Sequence, residues 1–202
     1  MSAMPHAIRI HANGTPDVMR WEEVHLPAPG PGEARIRHTA IGINYSDVNV
    51  RRGGFYLARP PQFTLMLGNE AAGVVTEVGH GVSTVKPGER VVYAGMRGEF
   101  YEDTGAYAEE RNVPVERLIP VPPGVSDQQA AAMMVKGFTA SLIINRIFMA
   151  EVLWSGSAEE KAEAIQLAES VAADAPSPTR IVEELKLQED ARADLRKWKA
   201  AS

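Results

Sequence analysis

Asn44, Tyr45, Ser46 and Asp47 stand together where the apolar run Ile41 to Ile43 gives out, and Asn69-Glu70 stands between Gly68 and the strand-like Ala71-Ala72-Gly73. Polar side chains at a strand end, flanked by glycines, are held in register for a ligand by rigid backbone. The plainer reading of the same pattern is a turn capped by its own asparagine. Other chemistries find less support. The chain has no cysteine, which removes disulfides, thiolate nucleophiles and cysteine-ligated zinc. Its five histidines, at positions 6, 11, 25, 38 and 80, show no paired spacing, and catalytic zinc wants three protein ligands. Glu22-Glu23 and Glu109-Glu110 place neighbouring carboxylates on opposite faces of a strand, which does not suit paired-carboxylate hydrolysis. His38 is the histidine expected to face a core. With no acid or nucleophile beside it in sequence, it reads as a hydrogen-bonded structural residue.

The elements that must position these groups are mostly strands. Ala7 to His11, a turn at Asn13 to Pro16, and Met19 to Leu26 read as a strand pair, and Pro27 to Gly32 is a stiff connector. Glu33 to Ile43 alternates, with Ala34, Ile36, His38 and Ala40 on one face, and then gives way to a helical turn that stops at Gly53-Gly54. Glu70 to Val78, Arg90 to Ala94, Ala106 to Arg111 and Arg117 to Pro120 are further expected strands. Short strands at turn-bounded spacing predict a compact β-barrel. Ser126 is an expected N-cap for a helix from Asp127 to about Phe148, with a break expected at Gly137.

Composition changes near residue 150. Sixteen of the 17 glycines and 12 of the 14 prolines lie before residue 151, and the remaining residues are rich in Ala, Glu and Lys. Ser157-Ala158-Glu159-Glu160 is a capping box, followed by an apolar stripe at Ala158, Ala162, Ile165, Ala168 and Ala172. Ser177-Pro178 starts a second expected helix, whose apolar side carries Ile181, Leu185, Leu187, Ala191, Leu195 and Trp198. A net charge of −5 argues against a nucleic-acid footprint. No membrane span or signal peptide is visible, so the expected localisation is cytoplasmic.

Four blocks carry a resemblance. Gly42-Ile43-Asn44-Tyr45-Ser46-Asp47, Gly68-Asn69-Glu70-Ala71-Ala72-Gly73, Val85-Lys86-Pro87-Gly88-Glu89-Arg90-Val91 and Lys136-Gly137-Phe138-Thr139-Ala140 come in the order and spacing of the zinc-free medium-chain dehydrogenase/reductases. Over residues 4–148 the chain resembles an NADPH:quinone oxidoreductase. The resemblance implies a mainly β fold with α, in which a GroES-like, partly open β-barrel is followed by a C-terminal helical segment. The implied domains are the barrel at 1–125, a linking helix at 126–150 and a helical hairpin at 151–202. It also implies NADPH as cofactor without zinc, and a quinone, or alternatively an enone, as substrate. Asn44 and Thr139 match positions that touch the nicotinamide end of the cleft, Tyr56 matches a wall of it, and Lys136 belongs to the same block as Thr139.

The zinc-dependent relatives carry a cysteine near Asn44 and a His-Glu pair where Asn69-Glu70 stands, so the metal-dependent reaction is not expected. Every glycine was weighed for a Gly-x-Gly-x-x-Gly turn between strand and helix. Gly30-Pro31-Gly32 and Gly79-His80-Gly81 begin the pattern without completing it. Past Phe148 the family would continue into a nucleotide-binding domain where this sequence reads as helical. The expectation is therefore a catalytic-domain segment that does not turn over by itself. The competing expectation is a non-enzymatic scaffold that binds a protein partner, or itself, through residues 178–200.

Overall fold

In the computed structural model the expected strands form two antiparallel sheets; residues 4–53, 62–95, 104–142, 153–154, 157–173, 192–193 and 195–200 are described. The strands are β1 His6–Ile10, β2 Met19–Glu23, β3 Glu33–Gly42, β4 Leu65–Met66, β5 Glu70–Val78, β6 Arg90–Ala94, β7 Glu110–Pro114 and β8 Ile119–Pro120. The helices are α1 Tyr45–Arg52, α2 Asp127–Leu142 and α3 Ala158–Ala173. One sheet has the order β2-β1-β4 and the other β7-β3-β5-β6-β8. They are stitched where Ile8 N–H donates to the Tyr107 carbonyl at 2.7 Å and Glu109 N–H to the His6 carbonyl at 2.8 Å. The result agrees with the β-barrel that the strand spacing predicts and with the partly open, GroES-like form that the resemblance implies.

Alternation along β3 sets the core. Ala34 and Ile36 are fully buried with Ala71, Val75, Val91, Tyr93 and Val113. The strand expected at Ala106 to Arg111 lies further on, at β7. Register explains the shift: β7 pairs Glu33↔Pro114 through Arg37↔Glu110, whereas Ala106 to Glu109 turn across to β1. Pro114 is tolerated because it sits at the end of the ladder.

The chain divides into two compact units, residues 1–135 and 136–202. Ser126 caps α2 through a capping box, its hydroxyl accepting Gln129 N–H at 3.2 Å and Gln129 Oε1 accepting Ser126 N–H at 2.9 Å. The helix runs through Gly137 without the expected break. Packing of Ala130, Ala131 and Met134 on Ala72, Val92 and Val121 offsets the ~1 kcal/mol a helical glycine costs. The expected stretch beyond Leu142 to Phe148 lies outside the described residues.

In the second unit, Ser157 and Glu160 form the predicted capping box at α3. Its buried positions are Ala164 and Ala168, while Ala158 and Ala162 are exposed. Trp198 decides that face: it is buried against both alanines and stacks on Trp154 at 4.9 Å. Leu195 is partly buried in the same cluster, so the two described positions of that apolar side, Leu195 and Trp198, pack within this unit. Leu185 and its neighbours lie outside the described residues. No helix among the described residues is long and apolar enough to cross a membrane.

Candidate functional site

The candidate site grows from the place where β3 ends, β5 begins and α2 passes. Gly42 faces Glu70 in the register of the two strands, and a Cβ on Gly42 would lie 2.3 Å from Glu70 Oε1. Only glycine fits there. Glu70 is fully buried. Its Oε1 accepts Asn44 Nδ2 at 2.8 Å, and its Oε2 accepts the backbone N–H of Val135 at 2.7 Å. A buried carboxylate is tolerated only with such donors around it. Three elements are thereby tied to one acid, and the Asn44 side chain is oriented by it.

A second acid fixes the start of α1. Asp47 Oδ2 accepts Asn44 N–H and the Tyr107 hydroxyl, both at 2.9 Å. Burial, and then the Asp47 carboxylate, push the Tyr107 hydroxyl well above its ordinary range, so Tyr107 is a neutral donor. Tyr107 also packs on Gly68, which has φ +92° and whose Cβ would lie 2.2 Å from the Tyr107 ring. Gly68 is thus required both by its backbone conformation and by space. Next to it, Asn69 is fully buried with both side-chain polar atoms lacking a hydrogen-bond partner.

Further along β3 lies a different polar pair. His38 Nδ1 donates to the Ala108 carbonyl at 2.6 Å, which leaves Nε2 to accept the Tyr93 hydroxyl at 2.9 Å. Burial lowers the His38 pKa to about 4, with Arg111 adding to the effect and the Ala108 carbonyl opposing it. This is the hydrogen-bonded, neutral histidine expected from sequence. It lines a groove of about 390 Å³ together with Trp21, Ile41, Ile43 and Tyr107.

Of the predicted site residues, Asn44 is buried at the corner just described. Lys136 and Thr139 stand on the exposed part of α2, three residues apart and so on one helix face, at the start of the second unit. Tyr56 lies outside the described residues. Sequence reasoning placed Asp47 and Glu70 in the polar strand-end turns without giving either a role, and passed over Tyr107. One signal was present: an acid opening the otherwise apolar run Ala71 to Val75, two residues after a glycine, is an odd choice unless it is bound. Among the described residues, no group of three or more His, Cys, Asp or Glu side chains gathers to hold a metal.

The two joined antiparallel sheets and the strand-end polar corner define a GroES-like catalytic domain, and residues 30–123 match the alcohol dehydrogenase GroES-like domain. Two of the relatives are a reductase and an oxidoreductase by name. The 2-haloacrylate reductase of Burkholderia sp. is 40% identical over 148 residues, covering 71% of this chain and 42% of that protein. Quinone oxidoreductase 1 of Escherichia coli is 35% identical over 145 residues, covering 72% of this chain and 42% of that protein. Among solved structures, Escherichia coli quinone oxidoreductase complexed with NADPH superposes with a TM-score of 0.63 at 28% identity, over 80% of this chain and 56% of that one. The chain belongs to the quinone-oxidoreductase-like medium-chain dehydrogenase/reductases. It spans 42% of the length of the two curated relatives.

Proposed function

We propose that this chain provides the catalytic-domain half of a zinc-independent, NADPH-dependent reductase acting on a quinone or on an acrylate-type activated double bond. The observation that carries the reading is the Glu70 anchor, which fixes Asn44 where three elements meet. The residues present fit the nicotinamide end of the cofactor. Asn44 is an oriented polar group, Thr139 and Lys136 share one accessible helix face, and the buried Asn69 amide is a hydrogen-bonding group still to be satisfied. They do not fit the pyrophosphate, because no complete Gly-x-Gly-x-x-Gly turn occurs in the sequence. When bound, NADPH would supply the hydride, and the work of the protein is orientation and exclusion of water. By resemblance, Asn44 and Thr139 match positions that hold the ring end by polar contact, Tyr56 matches a wall of that cleft, and Lys136 belongs to the same block as Thr139.

The reading is tested by titrating the chain with NADPH and with reduced nicotinamide mononucleotide, following backbone amide shifts and then cofactor oxidation with a simple quinone. Both ligands are expected to bind alike at millimolar concentration, to shift Asn44 and Thr139, and to give no turnover with this chain alone. Micromolar NADPH binding would mean that a pyrophosphate site is present after all. Absence of shifts at Asn44 and Thr139 would remove them from the site. The scaffold alternative predicts concentration-dependent association that is lost on truncation at Ala150, measured by sedimentation.

A further inference from the structure

Asn44 is held at two points. Glu70 takes its side-chain amide at 2.8 Å, and Asp47 Oδ2 takes its backbone N–H at 2.9 Å. The second hold reaches well beyond the turn it closes, because the same Oδ2 accepts the Tyr107 hydroxyl, sixty residues further along the chain, at 2.9 Å. Tyr107 is itself a fixed point. Its N–H donates to the Leu67 carbonyl at 2.9 Å, its carbonyl accepts Ile8 N–H at 2.7 Å, and its ring lies against Gly68. The other two capping boxes of the chain differ. At Ser126 and Ser157 the box closes with the residue three positions on, at exposed sites, and no third side chain among the described residues joins it. A buried carboxylate such as Asp47, 3% exposed, needs donors whatever its use. What the tyrosine adds is a tie from the Asn44 turn to β1 and to the segment at Leu67-Gly68.

We propose that Tyr107 is a positioning residue for the reductase site, acting through Asp47 to set where Asn44 stands. The inference rests on the reading of Asn44 as a nicotinamide contact and names the residue that keeps that contact in place. Glu70 fixes the far end of the Asn44 side chain, whereas Asp47 and Tyr107 fix its backbone. A binding group is only as accurate as the shell behind it, and a small displacement of such a group is costly to the ligand it orients. The tie is also insensitive to alkali: burial, and then the Asp47 carboxylate, keep the Tyr107 hydroxyl protonated and able to donate.

The test compares the full chain with Tyr107→Phe, which keeps the ring against Gly68 and removes the hydroxyl, by amide hydrogen exchange and by titration with reduced nicotinamide mononucleotide. The Asn44 N–H should exchange about tenfold faster, and the ligand should bind about threefold more weakly. Tyr93→Phe is the control, since it loses a hydroxyl bond to His38 in the same barrel, and it should leave both readings unchanged. Asp47→Asn, whose side-chain carbonyl still accepts both donors, should bind close to the parent, while in an Asp47→Ala chain the Tyr107→Phe change should add no further loss. An unchanged Asn44 exchange rate in Tyr107→Phe would overturn the proposal. So would faster exchange with undiminished ligand binding, or an equal loss in Tyr93→Phe. Absence of any Asn44 shift in the parent would instead sink the nicotinamide reading and with it the part Tyr107 plays in binding, while its hold on Asn44 is still decided by the exchange rates.

Discussion

The two polar clusters of the barrel make an instructive pair. At the Glu70 corner an acid is buried at the junction of β3, β5 and α2, and the surrounding donors are a side-chain amide and a backbone N–H. At His38, in the middle of β3, a half-buried base has a carbonyl acceptor on one nitrogen and a hydroxyl donor on the other. The first arrangement satisfies a group that takes only acceptor roles when ionised, and it fixes where three separate segments end or begin. The second satisfies a neutral imidazole completely and ties β3 to β6 and to the Tyr107-Ala108 turn. The difference teaches which cluster can serve chemistry. The corner orients a polar side chain at a strand end beside an unsatisfied Asn69, whereas the His38 pair closes on itself.

The comparison can be broken first at its stronger side. Glu70→Ala should cost about 4 kcal/mol, since it leaves buried donors on Asn44 and Val135 without their acceptor. Urea denaturation measures it, and a loss no larger than that of Tyr93→Phe would erase the distinction. Acid probes the other side. Between the unfolded His38 pKa near 6.5 and the folded value of about 4, the unfolded chain binds the extra proton. Stability therefore rises with pH across that window and is lost as pH falls through it. The His38 share is on the order of 3 kcal/mol between pH 7 and pH 4. Melting curves from pH 7 to pH 4 read this, and His38→Gln should flatten the slope.

Smaller effects sharpen the contrast. Asn44→Ala should cost about 2 kcal/mol by removing the amide from Glu70, and if the corner is also the nicotinamide site it should abolish the amide shifts seen with reduced nicotinamide mononucleotide. Tyr93→Phe should cost about 1 kcal/mol, the worth of its hydroxyl bond to His38. Thr139→Val, at an exposed helix position, should weaken cofactor binding by more than it changes stability. A large stability loss there would mark Thr139 as structural instead.

Much of the barrel was legible because its signals are local. Alternation in β3, the Gly53 stop of α1, and the capping boxes at Ser126 and Ser157 depend on residues within a few positions of one another. The β7 boundary was misplaced because Ala106 to Glu109 look strand-like, and only pairing with Glu33 to Arg37 selects Glu110 to Pro114 instead. The face of α3 was misjudged for the same kind of reason: Trp198, thirty residues beyond Ala168, chooses which alanines are buried.

At the site, the sequence by itself determined that Asn44 sits at a strand end, that Asn69-Glu70 replaces the metal-binding pair of zinc relatives, and that the four blocks belong to one reductase family. Tertiary structure alone decided that Glu70 holds Asn44, that Tyr107 reaches Asp47 across sixty residues, and that, among the described residues, β7 pairs with only the first half of β3. The physical reason is range. Capping and alternation are settled by neighbours along the chain, whereas a buried carboxylate is satisfied, and a strand paired, only by what folding brings from elsewhere.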